Sequence, residues 1–251
     1  MKIRFLGSGT STGNPQLLCS CPVCRSTDPK DTRFRASILI ESEGKTILVD
    51  CGPDFRQQAL RANIQQLDAV VLTHEHYDHV GGLDDLRPFC SGEGMPLYAY
   101  DRVLKRVQEA LPYSFSENPY PGVPLFQLNT VGQGAFWIGS NQFTPIEVIH
   151  YRLPVLGFRL KNMAYLTDFN HIETDQLARL HGLDVLIIDA LRIRPHLSHN
   201  SLQQALDIVD WIQPKQTWLI HMSHDMGLHA EVEARLPSGV FLSWDTLCIE
   251  C

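Results

Sequence analysis

The sequence predicts an α/β domain built from two β-sheets with helices outside them. Runs rich in β-branched and aromatic residues recur along the whole chain. Segments of helical period lie between those runs, so strands and helices interleave. No repeat, charge block or low-complexity tract divides the 251 residues, which supports a single domain over 1–251.

The first strands are expected at Lys2–Leu6, Ser37–Glu41, Thr46–Asp50, after the Glu43-Gly44 turn signal, and Ala69–Thr73. Helical spacing appears at Asp54–Ala62, Asp101–Ala110, Thr174–His181 and Ser201–Ile212, with Thr174 and Ser201 as the caps of the last two. Later strands are expected at Gln142–Ile149, Leu156–Leu160, Met163–Thr167, Val185–Ile188, Thr217–Ile220 and Val240–Leu242. That makes about ten strands and four helices. Pro112–Pro124, with four prolines and three aromatic residues, is expected to be an ordered surface loop. The four tryptophans, Trp137, Trp211, Trp218 and Trp244, are assigned to the core, and His171, His181 and His229 to surface or packing roles.

Composition excludes several classes. With 44% hydrophobic and 20% charged residues the chain is neither disordered nor fibrous. Apolar runs such as Ala69–Leu72 and Val185–Ile188 fall far short of the ~20 residues a membrane-spanning helix needs. Met1–Leu6 meets Gly7 too early for a secretory signal, so a cytoplasmic protein is expected. A formal charge of −7 supplies no global pull toward nucleic acid or anionic membrane. Seven cysteines are too few for a disulfide scaffold, and three of them cluster at Cys19, Cys21 and Cys24, which points to metal.

The sharpest feature is Thr73-His74-Glu75-His76-Tyr77-Asp78-His79, directly after an apolar strand. In an extended segment, residues two apart project to one side, so His74 and His76 can grip one cation. Asp78 and His79, past the bend, face a neighbouring one. Strands deliver further ligands on rigid supports at their ends, and His150, Asp168 and His221 stand there. The helical metalloprotease motif is excluded, because Asp78 and not histidine lies four residues after His74. Gly7–Gly13 departs from the dinucleotide fingerprint, since Thr12 takes the third glycine's place, and is expected to form a tight loop near the site. The three thiols of Cys19-x-Cys21-x-x-Cys24 need a fourth ligand for a closed tetrahedral zinc site. His224, three residues after His221, is the candidate.

Together with His150, Asp168 and His221, the His74–His79 segment resembles the metallo-β-lactamase superfamily over nearly the whole chain. The resemblance implies an αββα sandwich. It also implies two divalent cations, Mn²⁺ or Zn²⁺, one held by His74, His76 and His150 and the other by Asp78, His79 and His221, with Asp168 bridging. Within that superfamily, the Gly7–Thr10 loop, the cysteine loop, Tyr165–Asp168 and His221–His224 are similar to the phosphodiesterase family of carbon–phosphorus lyase pathways. That similarity implies a structural Zn²⁺ on Cys19, Cys21, Cys24 and His224, a small cyclic phosphodiester as substrate, and a homodimer as one allowed assembly. It names Asp78 and His199 as catalytic, with His199 protonating the leaving oxygen and neighbouring His196 as the competing choice. Asp50 and Asp189, also at strand ends, are candidates for orienting metal-bound histidines. Arg87, Arg152 and Arg192 are candidates for a phosphate contact.

Two other functions share these motifs. A transfer-RNA 3′-processing endonuclease is disfavoured by the absence of a basic insertion and by the net charge. A non-catalytic protein of pyrroloquinoline quinone biosynthesis resembles the zinc loop, but here every position of the catalytic ligand set is filled.

Overall fold

A computed structural model describes residues 1–90 and 92–251. One sheet holds β1 (Lys2–Gly7), β2 (Ser37–Ser42), β3 (Lys45–Val49), β4 (Ala69–Val71), β5 (Met95–Ala99) and β6 (Phe126–Thr130), with the last strand, β15 (Cys248–Glu250), on the free edge of β1. The other holds β7 (Phe136–Ile138), β8 (Asn141–His150), β9 (Leu153–Leu160), β10 (Met163–Leu166), β11 (His171–Ile172), β12 (Val185–Asp189), β13 (Gln216–Ile220) and β14 (Val240–Leu242). Its order is β11-β8-β9-β10-β12-β13-β14, with β7 also paired to β8.

The period-2 pattern divides each strand between two cores. Ile3, Phe5, Ile38, Ile40, Ile47, Val49 and Val71 face Phe143, Phe158, Tyr165 and Ile187 between the sheets. The alternate residues, Leu39, Leu48, Val70 and Leu97, face outward under α1 (Phe55–Ala62) and α3 (Asp101–Ala110). On the far side Leu166, Leu186 and Ile188 lie under α5 (Leu202–Ile212) and α6 (His229–Glu233). The layers are therefore helix, sheet, sheet, helix, the expected αββα sandwich. Two short helices complete it, α2 (Tyr77–Val80) and α4 (Thr174–Ala178). Among the described residues no helix is long and apolar enough to cross a membrane.

All ten expected strands are present, and five others are not evident from local pattern. β5 carries Pro96, which lowers its strand signal, while β7, β11 and β15 are two or three residues long and exist because a longer neighbour pairs with them. Ser201 caps α5 through a capping box with Gln204. Thr174 is not a cap. It is the first residue of α4, after Glu173, and the helix stops at Ala178 rather than His181. The tryptophans also divide: Trp218 and Trp244 pack on the inter-sheet core, whereas Trp137 and Trp211 are exposed at 55% and 41%. Pro112–Ser114 forms a 3₁₀ turn, and the stretch to Pro124 has no other regular element.

His229 proves to be a buried structural residue, its Nδ1 accepting from Arg33 at 3.0 Å. Burial, then the Arg33 and Lys30 charges, push its pKa down to about 4. An unfolded histidine takes up a proton near pH 6.5, so folding excludes a proton between those values. The stability His229 supplies is therefore complete above about pH 6.5 and is lost as pH falls toward 4, to the extent of about 3 kcal/mol. Urea unfolding at pH 7 and pH 4.5 should show this loss in the wild type and a smaller one in His229→Gln. Equal losses would assign the acid lability to other groups.

Candidate active site

The site lies where strands of both sheets end. β3 and β4 run parallel with Val49 beside Val71, so Asp50 and Thr73-His74 leave the first sheet together. In the second sheet β10, β12 and β13 are parallel, which brings Asp168, Asp189 and His221 to the same rim, and β8 ends on His150. Asp50, Asp168 and His221 have φ of 60°, 50° and 61°. Non-glycine residues in that region carry strain of order 1–3 kcal/mol and cluster at functional sites. His74–His76 are extended, and α2 then places Asp78 and His79 on its first turn. Gly52 permits this, because a Cβ there would lie 2.0 Å from the Asp78 carbonyl oxygen.

Asp78, His79, Asp168 and His221 bring one ligand atom each within 4.8 Å of the others, and all four are buried. His79 Nε2 is 3.2 Å from both Asp78 Oδ2 and Asp168 Oδ2, and His221 Nε2 is 3.2 Å from Asp168 Oδ2. His74 Nε2 and His76 Nδ1 approach to 2.9 Å. Their rings are 5.9 and 5.2 Å from that of His150, which joins Asp168 and His199 in a second group of convergent ligand atoms. All seven residues expected to hold metal thus meet in one place.

Hydrogen bonds set which nitrogen each histidine presents. His79 Nδ1 donates to Asp50 Oδ2 at 2.7 Å, leaving Nε2 buried without a partner. Thr73 Oγ1 donates its only proton to Asp50 and accepts from His74 Nδ1 at 3.0 Å, which turns the lone pair of His74 Nε2 inward. His150 Nδ1 donates to the Ser198 carbonyl at 2.7 Å. Lone pairs and carboxylates that converge without hydrogen donors form a donor set suited to a divalent cation. The charge balance agrees. Burial disfavours a proton on His79, yet Asp78, Asp168 and Asp50 together hold its pKa well above the ordinary range. Burial also acts on Asp168, but His221 and His79 keep its carboxyl well below the usual range. The site demands positive charge, and protons and metal compete to provide it.

Asp50 is the hub of two of these contacts. Asp50→Ala should lower metal affinity 10–100-fold, the usual loss when such an orienting partner is removed, as titration with a competing chelator would measure. Unchanged affinity would mean that packing alone orients the two rings.

His199 stacks on His221, with ring centroids 5.0 Å apart and planes at 15°. Its Nδ1 lies 3.6 Å from Asp189 and 3.8 Å from Asp168. Burial opposes its charge, but Asp189 and then Asp168 raise its pKa to about 9. His196, 5.2 Å away, is lowered by burial and by the His199 charge. Asp189 therefore faces His199 as well as His221, whose Nδ1 is 3.7 Å from it, as a charge rather than a hydrogen-bond partner. Thr73 and the Ser198 carbonyl escaped sequence reasoning, since a hydroxyl beside a histidine and a backbone oxygen carry no sequence signal. Of the three arginines, Arg87 pairs with Asp84 and Arg192 donates to the carbonyls of Arg194 and Pro195. Arg152 has no carboxylate partner among the described residues.

The cysteine loop forms a separate centre. His224 Nδ1 lies 3.1, 3.3 and 3.6 Å from the sulfurs of Cys19, Cys21 and Cys24. Against the effect of burial, the Cys24 N–H and His224 lower the Cys21 thiol to about 6. Burial and the neighbouring thiols raise Cys24 to about 11, so the cluster favours one thiolate until a cation shares the charge. Three sulfurs and one nitrogen match a closed zinc site. The Gly7–Gly13 loop lies beside both centres, since Thr10 N–H donates to the Met222 carbonyl.

The family model described as a beta-lactamase superfamily domain matches residues 45–222. The chain belongs to the metallo-β-lactamase superfamily. Among solved structures, this superfamily member is similar to a diphosphatase from the PhnP family, at 38% identity and a TM-score of 0.93, over 100% of this chain and 97% of that one. It shares its fold with the Zn²⁺-bound PqqB of Methylobacterium extorquens, at 22% identity and a TM-score of 0.78, each chain covered in full. Among curated proteins, an octanoyltransferase of Porphyromonas gingivalis is 46% identical over 98% of this chain. The match takes in 51% of that relative, so the chain spans about half its length. A coenzyme PQQ synthesis protein B of Methylorubrum extorquens is 28% identical over 75% of this chain and 72% of its own.

Proposed function

We propose that this superfamily member is a metal-dependent phosphodiesterase that hydrolyses a small, cyclic phosphodiester at a dinuclear centre. The observation that supports this reading is the convergence of His74, His76, Asp78, His79, His150, Asp168 and His221 at one rim, with His199 Nδ1 3.8 Å from Asp168. His74, His76 and His150 would hold one divalent ion and Asp78, His79 and His221 the other, with Asp168 between. Mn²⁺ and Zn²⁺ both suit such ligands. Bound there, the pair supplies Lewis acidity that makes water nucleophilic at neutral pH and neutralises phosphate oxygens.

The chain's own residues do the rest. Asp50 and Thr73 hold His79 and His74 in the ligating tautomer, and the Ser198 carbonyl does so for His150. Asp78 serves catalysis through its place in the second ligand set. His199, kept protonated by Asp189, delivers a proton to the departing alkoxide, a contribution of ~10²–10⁴ in rate. Cys19, Cys21, Cys24 and His224 hold a structural Zn²⁺ that ties the N-terminal loop to the strand end bearing His221. The resemblance to a PhnP-family diphosphatase supports phosphorus chemistry and adds diphosphates to the substrates worth testing.

The test is hydrolysis by chelated and then Mn²⁺- or Zn²⁺-reloaded protein. Suitable substrates are bis(p-nitrophenyl) phosphate, 2′,3′-cyclic nucleotides, a cyclic ribose 1,2-phosphate, a dinucleoside diphosphate and p-nitrophenyl octanoate. Metal-restored turnover of a phosphodiester is expected, with the cyclic ones preferred. Turnover of the octanoyl ester alone would move the function to acyl chemistry, and metal content without any turnover would move it to binding.

A further inference from the structure

The turn that follows His150 breaks the rules of turn chemistry. β8 and β9 are joined by Tyr151-Arg152, a two-residue connection, and Tyr151 has φ of 59°. Such turns take glycine, asparagine or aspartate, because a bulky residue at positive φ is strained. Tyr151 gains little burial in return. Its side chain belongs to a residue 52% exposed, and its backbone N–H is fixed by Asn170 Oδ1 at 2.6 Å. A strained, exposed tyrosine next to a ligand residue contributes nothing evident to folding, and violations of this kind concentrate at functional sites.

The surroundings of His150 repeat the pattern. Leu197, 71% exposed, immediately precedes Ser198, whose carbonyl holds the His150 ring. Tyr77, 70% exposed, follows His76, whose ring is 5.2 Å from that of His150. The Arg152 guanidinium lies over the Tyr151 ring, 5.1 Å from its centroid. Exposed apolar and aromatic residues thus adjoin residues of the histidine cluster along the chain, and the one cation among them, Arg152, has no carboxylate partner among the described residues.

Building on the phosphodiesterase function above, we propose that Tyr151, Leu197 and Arg152 form a specificity subsite for a nucleotide-like substrate. A planar base or similar aromatic group would stack on Tyr151 and Leu197, and Arg152 would meet an anionic oxygen outside the scissile bond. Stacking on an aromatic side chain is worth roughly 1–3 kcal/mol, or about 5–150-fold in affinity.

Two measurements test this. The first compares thymidine 5′-(p-nitrophenyl phosphate) with methyl p-nitrophenyl phosphate, which share a leaving group and differ in the base. The wild type should favour the nucleoside ester roughly tenfold or more in kcat/KM. Tyr151→Gly should collapse that ratio, Tyr151→Phe should retain it, and Leu197→Ser should reduce it. Tyr151→Gly should also raise the unfolding temperature, since glycine relieves the strained φ. The second is calorimetric binding of AMP against ribose 5-phosphate, which reads the subsite without hydrolysis. If neither ester turns over but AMP binds more tightly and Tyr151→Gly removes the difference, the subsite stands and the hydrolytic function falls. If both esters turn over with a ratio that Tyr151→Gly and Leu197→Ser leave unchanged, and AMP has no advantage, the subsite proposal is wrong.

Discussion

Asp168→Asn is expected to lower metal-dependent phosphodiester hydrolysis by at least ~10³-fold, about 4 kcal/mol of transition-state stabilisation. The substitution preserves size, and asparagine accepts the left-handed backbone that residue 168 adopts, at φ 50°. What it removes is the charge facing His79 and His221 at 3.2 Å and His199 at 3.8 Å. That carboxylate joins the group of Asp78, His79 and His221 to the group of His150 and His199. Metal analysis of the purified variant should show fewer than the two ions proposed for the active centre, with the zinc proposed for the cysteine loop retained. The proton on His79 should also weaken, because Asp168 is among the carboxylates that sustain it. A variant that kept full metal content and activity would remove Asp168 from the centre and with it the dinuclear assignment.

Arg33→Met is expected to destabilise the fold by about 3–5 kcal/mol, as when one partner of a buried ionic network is deleted. For a domain of this size that corresponds to a fall of ~10 °C in the unfolding temperature. Arg33 is 4% exposed and donates to Ser8 Oγ at 2.8 Å and to His229 Nδ1 at 3.0 Å. Ser8 also donates through its hydroxyl to Asp245, and the His229 N–H donates to Asp31 at 2.7 Å. Burial presses the guanidinium down to about 10, with Asp245 and Asp31 opposing, so it remains charged at neutral pH. Methionine fills the space but leaves Ser8 Oγ, the Ser243 carbonyl and His229 Nδ1 without their donor, while Asp245 keeps Arg61 and the Ser8 and Phe34 N–H groups. The network joins the loop after β1 to the segment ahead of α6, the same two regions that carry the cysteines and His224. Zinc affinity should therefore weaken with stability, measurable by thermal unfolding with and without a chelator. A change below about 1 kcal/mol would show that water or a shift of Asp245 replaces the arginine.

Much of this was legible along the chain. The His74–His79 run lies within one segment, so its spacing alone places four ligands on a strand exit. The ten strongest strands are runs rich in β-branched and aromatic residues, some alternating with the period of a pleat and others, such as β4, β10 and β12, continuously apolar because both faces are buried. β5, β6, β7, β11 and β15 were not legible in this way: Pro96 weakens the pattern of β5, and β7, β11 and β15 are two or three residues long and depend on a longer partner. Trp137 and Trp211 show the same limit, since side-chain type does not say which face of a sheet or helix will be covered.

By itself, then, the sequence established the α/β class from local periodicity, and it nominated the ligand residues and the cysteine loop from spacing and from resemblance to a known family. Only the tertiary structure decided which nitrogen each histidine presents, that Asp50 holds His79 directly and His74 through Thr73, that Asp189 faces both His199 and His221, and that Arg152 alone of the three arginines has no carboxylate or carbonyl partner among the described residues. These are contacts between elements far apart in the chain, and packing two sheets face to face, so that their strand ends share one rim, is what brings the residues together. Strain belongs to the same category: a positive φ at Tyr151 or Asp168 comes from closing a turn between fixed strands, and no residue's identity announces it.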